Sequence, residues 1–189
     1  MTRRDEILDV CVEMADKEGF QNISLKTLAD RLGIKPPSLY KHFPAGLGEI
    51  KESLMIYGWN LLDIKIAKAV VGKSLEDALK TICYAFRDFA HEHPGVFAAI
   101  CWHNSYTSEL NGEITKGVIS SLYAILDSLN FNDVEKMHIL RCLRGFLEGF
   151  AMLELHGSFG DKVSLDDSFA YGVDAMIAGF LKGEREDVD

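Results

Sequence analysis

Within the stretch LADRLGIKPPSLYKHF, residues 28–43, Lys35, Ser38, Tyr40, Lys41 and His42 stand close together, and each can donate a hydrogen bond to a phosphate oxygen. Lys41 can equally reach the edge of a guanine. The adjacent Pro36 and Pro37 offer a flat apolar surface that fits a thymine methyl group. Taken together, this is the chemistry of contact with a nucleic acid duplex. The surrounding residues 24–43 carry four cations, Lys26, Arg31, Lys35 and Lys41, against one acid, Asp30, a net charge of +3. The whole chain of 189 residues carries −9, an acidic balance that argues against indiscriminate binding to polyanions. A local cationic patch can still dock on phosphates, because charges at contact distance are the least screened.

Those side chains need a frame. A helix-turn-helix requires a small residue where two helices cross, a residue tolerant of positive φ in the turn, and a buried apolar residue after it. Ala29, Gly33 and Ile34 supply these in order, and Leu39 faces inward with Ile34 and Leu28. Lys35 through Ser38 and Tyr40 through His42 are left outward. Proline disfavours helical geometry in the residue before it, so Lys35 is held extended. Pro37 is tolerated in a first turn, so the pair fixes where a short helix to Phe43 begins, and Pro44 stops it. Spacing alone leaves two readings, a DNA reader or a helical hairpin whose polar face is merely solvated.

The rest of the chain is helical in pattern, with no convincing period-two strand. Caps and breakers predict an all-α fold of about nine helices. The first opens at Thr2 with Asp5 and ends at Gly19, with Ile7, Leu8, Cys11, Met14 and Ala15 inward. The second is capped by Ser24. A long one starts loosely at Gly46 and Gly48 and runs to Val71. Others follow from Ser74 to the HEHPG stretch, over Val96–Trp102, over Ser108–Leu129, from Asn132 to Leu155 and from Ser164 to Leu181, and the tail KGEREDVD is expected to fray.

Residues 3–50 resemble the N-terminal domain of the TetR/AcrR family of transcriptional regulators, and ISLKTLADRLGIKPPSLYKHF follows that family's helix-turn-helix at Ala29, Gly33, Leu39, Tyr40, His42 and Phe43. The resemblance implies a homodimer with a DNA-binding domain over residues 1–48 and a ligand-binding, dimerising domain over 49–189. It implies a repressor that leaves a palindromic operator when a small molecule binds. It also assigns backbone contacts to Ser24 and Lys26. The sequence departs from the family at Gly46, where a phosphate-gripping lysine is usual; the free N–H groups of the following helix are expected to attract the phosphate instead. YAFRDFAHEHPGVFAAICW and LRGFLEGFAMLELHGSFG resemble the WHG subtype of the family's C-terminal domain over residues 75–180. The signature Trp and His fall on Arg144 and Glu148 and only Gly149 is kept, so no signature residue is carried over.

The C-terminal half is rich in aromatic residues. Trp59, Phe86, Phe89, Trp102, Tyr106, Tyr123 and Arg144 are the candidate lining of a pocket for an apolar or aromatic effector, against the plainer reading that they are core. Arg144 calls for an acidic partner such as Glu148 four residues on, or for an anionic ligand. Gly145 and Gly149, with Phe169, Val173, Met176, Ile177 and Phe180, are the candidate homodimer surface. His91, His93, Cys101 and His103 can ligate metal, but His91 and His93 point to different helix faces and zinc-site spacing is missing, so no metal is expected. No nucleophile motif, P-loop or dinucleotide fingerprint appears; the chain reads as no enzyme and as needing no cofactor. The alternatives are a helical binding protein without operator affinity and a small-molecule enzyme. Met1-Thr2-Arg3-Arg4 leads into acids rather than an apolar run, VFAAICW is too short to span a bilayer, and the four cysteines form no framework, all consistent with a cytoplasmic protein.

Overall fold

The computed structural model describes residues 2–102 and 116–182, and every regular element among them is helical. In chain order these are α1 (Arg3–Glu18), a 3-10 turn (Phe20–Asn22), α2 (Leu25–Leu32), a 3-10 segment (Pro36–Lys41), α3 (Leu47–Ala69), α4 (Leu75–Glu92), α5 (Pro94–Ile100), α6 (Lys116–Ser128), α7 (Asp133–Leu155) and α8 (Leu165–Lys182). No described helix is long and apolar enough to cross a membrane. The described residues form two compact units, 2–61 with 92–102, and 62–91 with 116–182.

Local chemistry sets most helix ends. Thr2 Oγ1 accepts from Asp5 N while Asp5 returns a bond to Thr2 N at 2.7 Å, closing a capping box. Ser24 with Thr27 and Asn132 with Glu135 do the same for α2 and α7. Ser74 Oγ and Ser164 Oγ accept from Asp77 N and Asp167 N, each at 3.2 Å. α2 ends at Gly33, whose φ of 64° is the left-handed geometry a side chain would strain.

In the first unit Ile7, Cys11 and Met14 of α1 pack with Leu28, Ala29, Leu39, Phe43 and Ile50 in one buried cluster. Burial pushes the Cys11 thiol up to about 12, so it is an inert packing group. The start of α5 is laid against α1 by a contact the sequence does not announce. Asp16 Oδ1 accepts from Gly95 N at 2.9 Å and Val96 N at 3.0 Å, and Oδ2 lies 3.1 Å from His93 Nδ1. This borrowed carboxylate serves the orphan N–H groups at the helix start, and α5 begins at Pro94 rather than at the Val96 expected from sequence.

In the second unit Arg87 of α4 is a hub. Its Nε donates to Glu154 Oε2 of α7 at 2.8 Å, its Nη2 reaches Asp166 Oδ1 of α8 at 2.8 Å, and its guanidinium lies over the Phe169 ring at 4.8 Å. Arg87, aided by His91, holds the Glu154 carboxyl down at about 2. A depressed carboxyl stabilises the fold above its unfolded value near ~4.3, and that contribution is lost as pH falls toward the folded value.

The candidate dimer residues divide. Phe169 and Val173 are each 0% exposed in the core of their own unit, with Phe169 stacked on Phe146 at 5.6 Å; this corrects the expectation that they face a partner. Ile177 is buried with them, while Met176 and Phe180 are half-buried. Within the protomer a close helix approach occurs at Gly172, where a Cβ would meet the Phe146 ring at 2.6 Å. Gly145 and Gly149 are exposed, and a Cβ added at either would meet nothing within 4 Å.

Candidate nucleic-acid interface

The short helix expected to run from the proline pair to Phe43 is a 3-10 helix over Pro36–Lys41. Pro36 and Pro37 supply no N–H, so the first internal bond is Ser38 N to Lys35 O at 2.8 Å, and only six residues are available before His42 caps the end. Lys35 is extended at φ −85°, ψ 141°, as a residue before proline should be. Leu39 and Phe43 are fully buried and pin the segment to the core. Lys35, Pro36, Pro37, Tyr40 and Lys41 are thereby left exposed, Tyr40 at 49%, with Ser38 and His42 half-buried beside them.

Lys26 stands exposed one position into α2, and Ser24 sits at its cap. The Ser24 hydroxyl accepts from Thr27 N at 3.1 Å, so its oxygen is already engaged within the fold. Arg31, counted in the cationic patch, is paired with Glu18 of α1. Its charge is therefore balanced, and the patch rests on Lys26, Lys35 and Lys41.

Just ahead of α3, Glu49 Oε2 accepts from Ala45 N at 2.9 Å and Gly46 N donates to Phe43 O at 2.8 Å, so these two loop N–H groups have internal partners. Arg4 of α1, which no sequence motif singles out, donates from Nη1 to Glu49 Oε1 at 2.8 Å and to His42 O at 2.6 Å. Its guanidinium lies 4.1 Å from the centre of the Phe43 ring. Arg4 first, then the Ala45 N–H, holds the Glu49 carboxyl below the usual carboxylate range. Nothing local could have revealed this, since the partners lie 38 and 45 residues away in sequence.

Gly46 has a physical reason of its own. Its φ is +74°, and a Cβ there would lie 3.2 Å from Tyr40 Cε1. Restoring the lysine usual in the resembled family, Gly46→Lys, adds a cation but costs roughly 1–2 kcal/mol of left-handed strain. It also pushes on Tyr40. The variant is expected to melt earlier and to bind duplex DNA more weakly; stronger binding at unchanged stability would show that the Tyr40–Gly46 contact is dispensable.

The effector candidates are spread out. Trp59 is buried in the first unit, and Trp102, half-buried there, meets the Phe20 ring edge-on at 5.9 Å. Phe86 and Phe89 are buried on α4, Tyr123 is half-buried on α6, and Tyr106 lies outside the described residues. Arg144 has Glu148 as its partner, Nε to Oε1 at 2.6 Å. The second unit has an open cleft of about 380 Å³ bordered by Lys65, Lys68, Tyr84 and Asp88, and an apolar groove of about 230 Å³ bordered by Phe131, Ile139, Cys142 and Phe180. Among the described residues, none of the aromatic candidates lines either one. Of the metal-competent group, His91 lies 2.9 Å from Glu154, His93 lies 3.1 Å from Asp16, Cys101 is half-buried after α5, and His103 lies outside the described residues.

Comparison with known proteins gives concordant results. A family model described as bacterial regulatory proteins, tetR family, matches residues 7–45. A second, described as tetracyclin repressor-like, C-terminal domain, matches residues 79–176; it does not bear on the WHG signature. An uncharacterised HTH-type transcriptional regulator of Bacillus subtilis, YobS, is 29% identical over 93% of this chain and 91% of its own length. A possible TetR family transcriptional regulator from Streptomyces coelicolor superposes with a TM-score of 0.77 at 14% identity, covering 96% of this chain and 100% of that one. A TetR variant from Acinetobacter baumannii, solved in complex with minocycline, superposes at 0.70 and 17% identity, covering 96% and 98%.

Proposed function

Because the chain belongs to the TetR family of bacterial regulatory proteins and is a DNA-binding transcriptional regulator, we propose that it is a homodimeric repressor released from a palindromic operator by a small apolar or aromatic effector. The observation that carries the DNA-reading half is the exposed Pro36–Lys41 segment pinned from beneath by Leu39 and Phe43. In this reading residues 1–48 bind DNA and 49–189 bind the effector and the second copy. Lys35, Pro36, Pro37, Ser38, Tyr40, Lys41 and His42 enter the major groove, and Lys26 and Ser24 touch the flanking backbone. A dimer sets two such segments about 34 Å apart, matching half-sites one helical turn apart.

The effector half is supported by the aromatic content of α4 to α7 and by a structural neighbour solved with minocycline. α3 runs unbroken from Leu47 to Ala69, from the reading unit into the second unit, so it is the element through which an effector can act on the reader. The effector must bind the DNA-incompetent state more tightly, since equal affinity for both states shifts nothing. A coupling of about 1–3 kcal/mol lowers operator affinity roughly 5–150-fold, and operator DNA weakens effector binding by the same factor.

Selection from random duplexes tests the reading. It should return a palindromic site; recovery of unrelated sequences at equal affinity would leave only non-specific binding. On the selected duplex, Lys41→Ala should weaken binding and make the logarithmic salt slope shallower by about 1 if the ammonium grips a phosphate. An unchanged slope would assign Lys41 to base contact or to no contact.

A further inference from the structure

We propose that Arg4 is a positioning residue for DNA reading, its guanidinium fixing the angle at which the Pro36–Lys41 segment is presented. The inference rests on the DNA-binding reading above and adds a residue that reading does not contain.

The segment cannot orient itself. It has six residues, opens on two prolines, and has no side-chain cap at its start. Leu39 and Phe43 anchor it by burial, but apolar packing is non-directional and two anchors leave rotation about the line joining them. A third, directional tether removes that freedom, and Arg4 supplies it. Nη1 donates to the carbonyl of His42 at 2.6 Å, directly at the segment's C-terminal cap, and to Glu49 Oε1 at 2.8 Å. Nη2 donates to Ser53 Oγ at 3.1 Å, one turn further along α3. One planar fork thus ties α1, the end of the reading segment and two successive turns of α3. Glu49 closes the ring by accepting from Ala45 N in the connecting loop. The tethered carbonyl belongs to His42 and immediately follows Lys41, so slippage there displaces two reading side chains together.

The charge arrangement argues for positioning rather than for a phosphate contact. Arg4 is balanced by an ionised Glu49 within the same cluster, so the pair adds no net charge to the face. A lysine cannot replace it, because a single ammonium lacks the rigid, spaced pair of nitrogens that serves His42 O, Glu49 Oε1 and Ser53 Oγ together.

The test uses the full-length chain, the selected duplex and a scrambled duplex of equal length. Arg4→Gln and Arg4→Lys should each lose at least about tenfold in affinity for the selected site, the size of one misplaced base contact. Affinity for the scrambled duplex and the salt slope should stay as in the parent, so that the specificity ratio falls. Failure of Arg4→Lys to rescue is the signature of the fork. Glu49→Gln, which leaves the His42 contact in place, should lower the same ratio by less and serves if Arg4→Gln does not fold. Equal losses on both duplexes with a shallower slope would make Arg4 a phosphate contact and overturn the proposal. So would full rescue by lysine, or a lower melting temperature with the ratio intact, or no change of ratio in Glu49→Gln. If the parent protein itself does not distinguish the two duplexes, the DNA-reading function fails first and is recognised by that result.

Discussion

Gly95→Ala should be among the most damaging single-methyl additions to this chain. A Cβ at Gly95 would lie 1.9 Å from both the carbonyl carbon and oxygen of Ala15, and 2.5 Å from Asp16 N. These are backbone atoms of α1, which cannot rotate aside as a flexible side chain can. Relief requires α5 to lift from α1. That movement withdraws Gly95 N and Val96 N from Asp16 Oδ1, leaving that oxygen and two N–H groups without these bonds. The overpacking and the lost cap together are expected to cost about 3 kcal/mol or more. For a chain of this size that is a fall of roughly 6–12 °C in Tm. Gly48→Ala is the control of opposite sign, since Gly48 is helical with nothing within 4 Å of an added Cβ. It should stabilise by about 0.5–1 kcal/mol. Thermal or urea unfolding of both variants reads the difference directly. A Gly95→Ala protein as stable as its parent would mean that α5 is not seated on α1 as described.

Gly149→Arg should give the largest functional loss. Gly149 is exposed on α7 and has open space around it in the protomer, so an arginine meets no clash there and is a better helix former than glycine. Damage to the protomer fold is therefore not expected, and any loss of assembly reports on the partner surface. Exposed Met152 and Leu153 continue the apolar character of α7, and the groove by Phe180 adds a concave strip along α8. A charged side chain placed into a contact between two such faces is desolvated without a partner, which is strongly unfavourable. Sedimentation should show a monomer with the parent's helical spectrum. On the proposed homodimer the second half-site is then no longer bound intramolecularly, and operator affinity should fall by about 10²–10⁴-fold. A well-folded dimer with undiminished operator binding would move the interface to another face of the molecule.

The elements legible in the sequence are those whose causes lie within a few residues. Thr2 with Asp5, Ser24 ahead of α2, Ser74 with Asp77, Asn132 with Glu135 and Ser164 with Asp167 all cap where their spacing placed them, because a cap is a bond to the second or third residue onward. Gly19 and Gly33 end their helices for an equally local reason, the positive φ values that glycine tolerates. The inward frame Leu28, Ala29 and Leu39 followed from helical period and turn chemistry alone. The outward set from Lys35 to His42 follows from that frame, since what does not face the core faces solvent.

The tertiary structure decided whatever depends on partners far away in sequence. Arg31 counts as a free cation until the fold brings Glu18 beside it. Phe169 and Val173 carry the same apolar signal whether they face a second copy or their own core, and only the tertiary packing, for Phe169 against Tyr84 of α4 and Phe146 of α7, shows that they are buried at home. Hydrophobic period marks a buried face but not what buries it. Asp16 carries no local mark beyond that of one more surface acid, yet it accepts from Gly95 N, 79 residues later, at the start of another helix. The carbonyl of His42, at the far end of the reading segment, is held by Arg4, 38 residues away in sequence, and that contact is invisible to any local rule. Short-range hydrogen bonds and φ preferences determine the helices; the angle between helices is set by long-range contacts that have no local pattern to betray them.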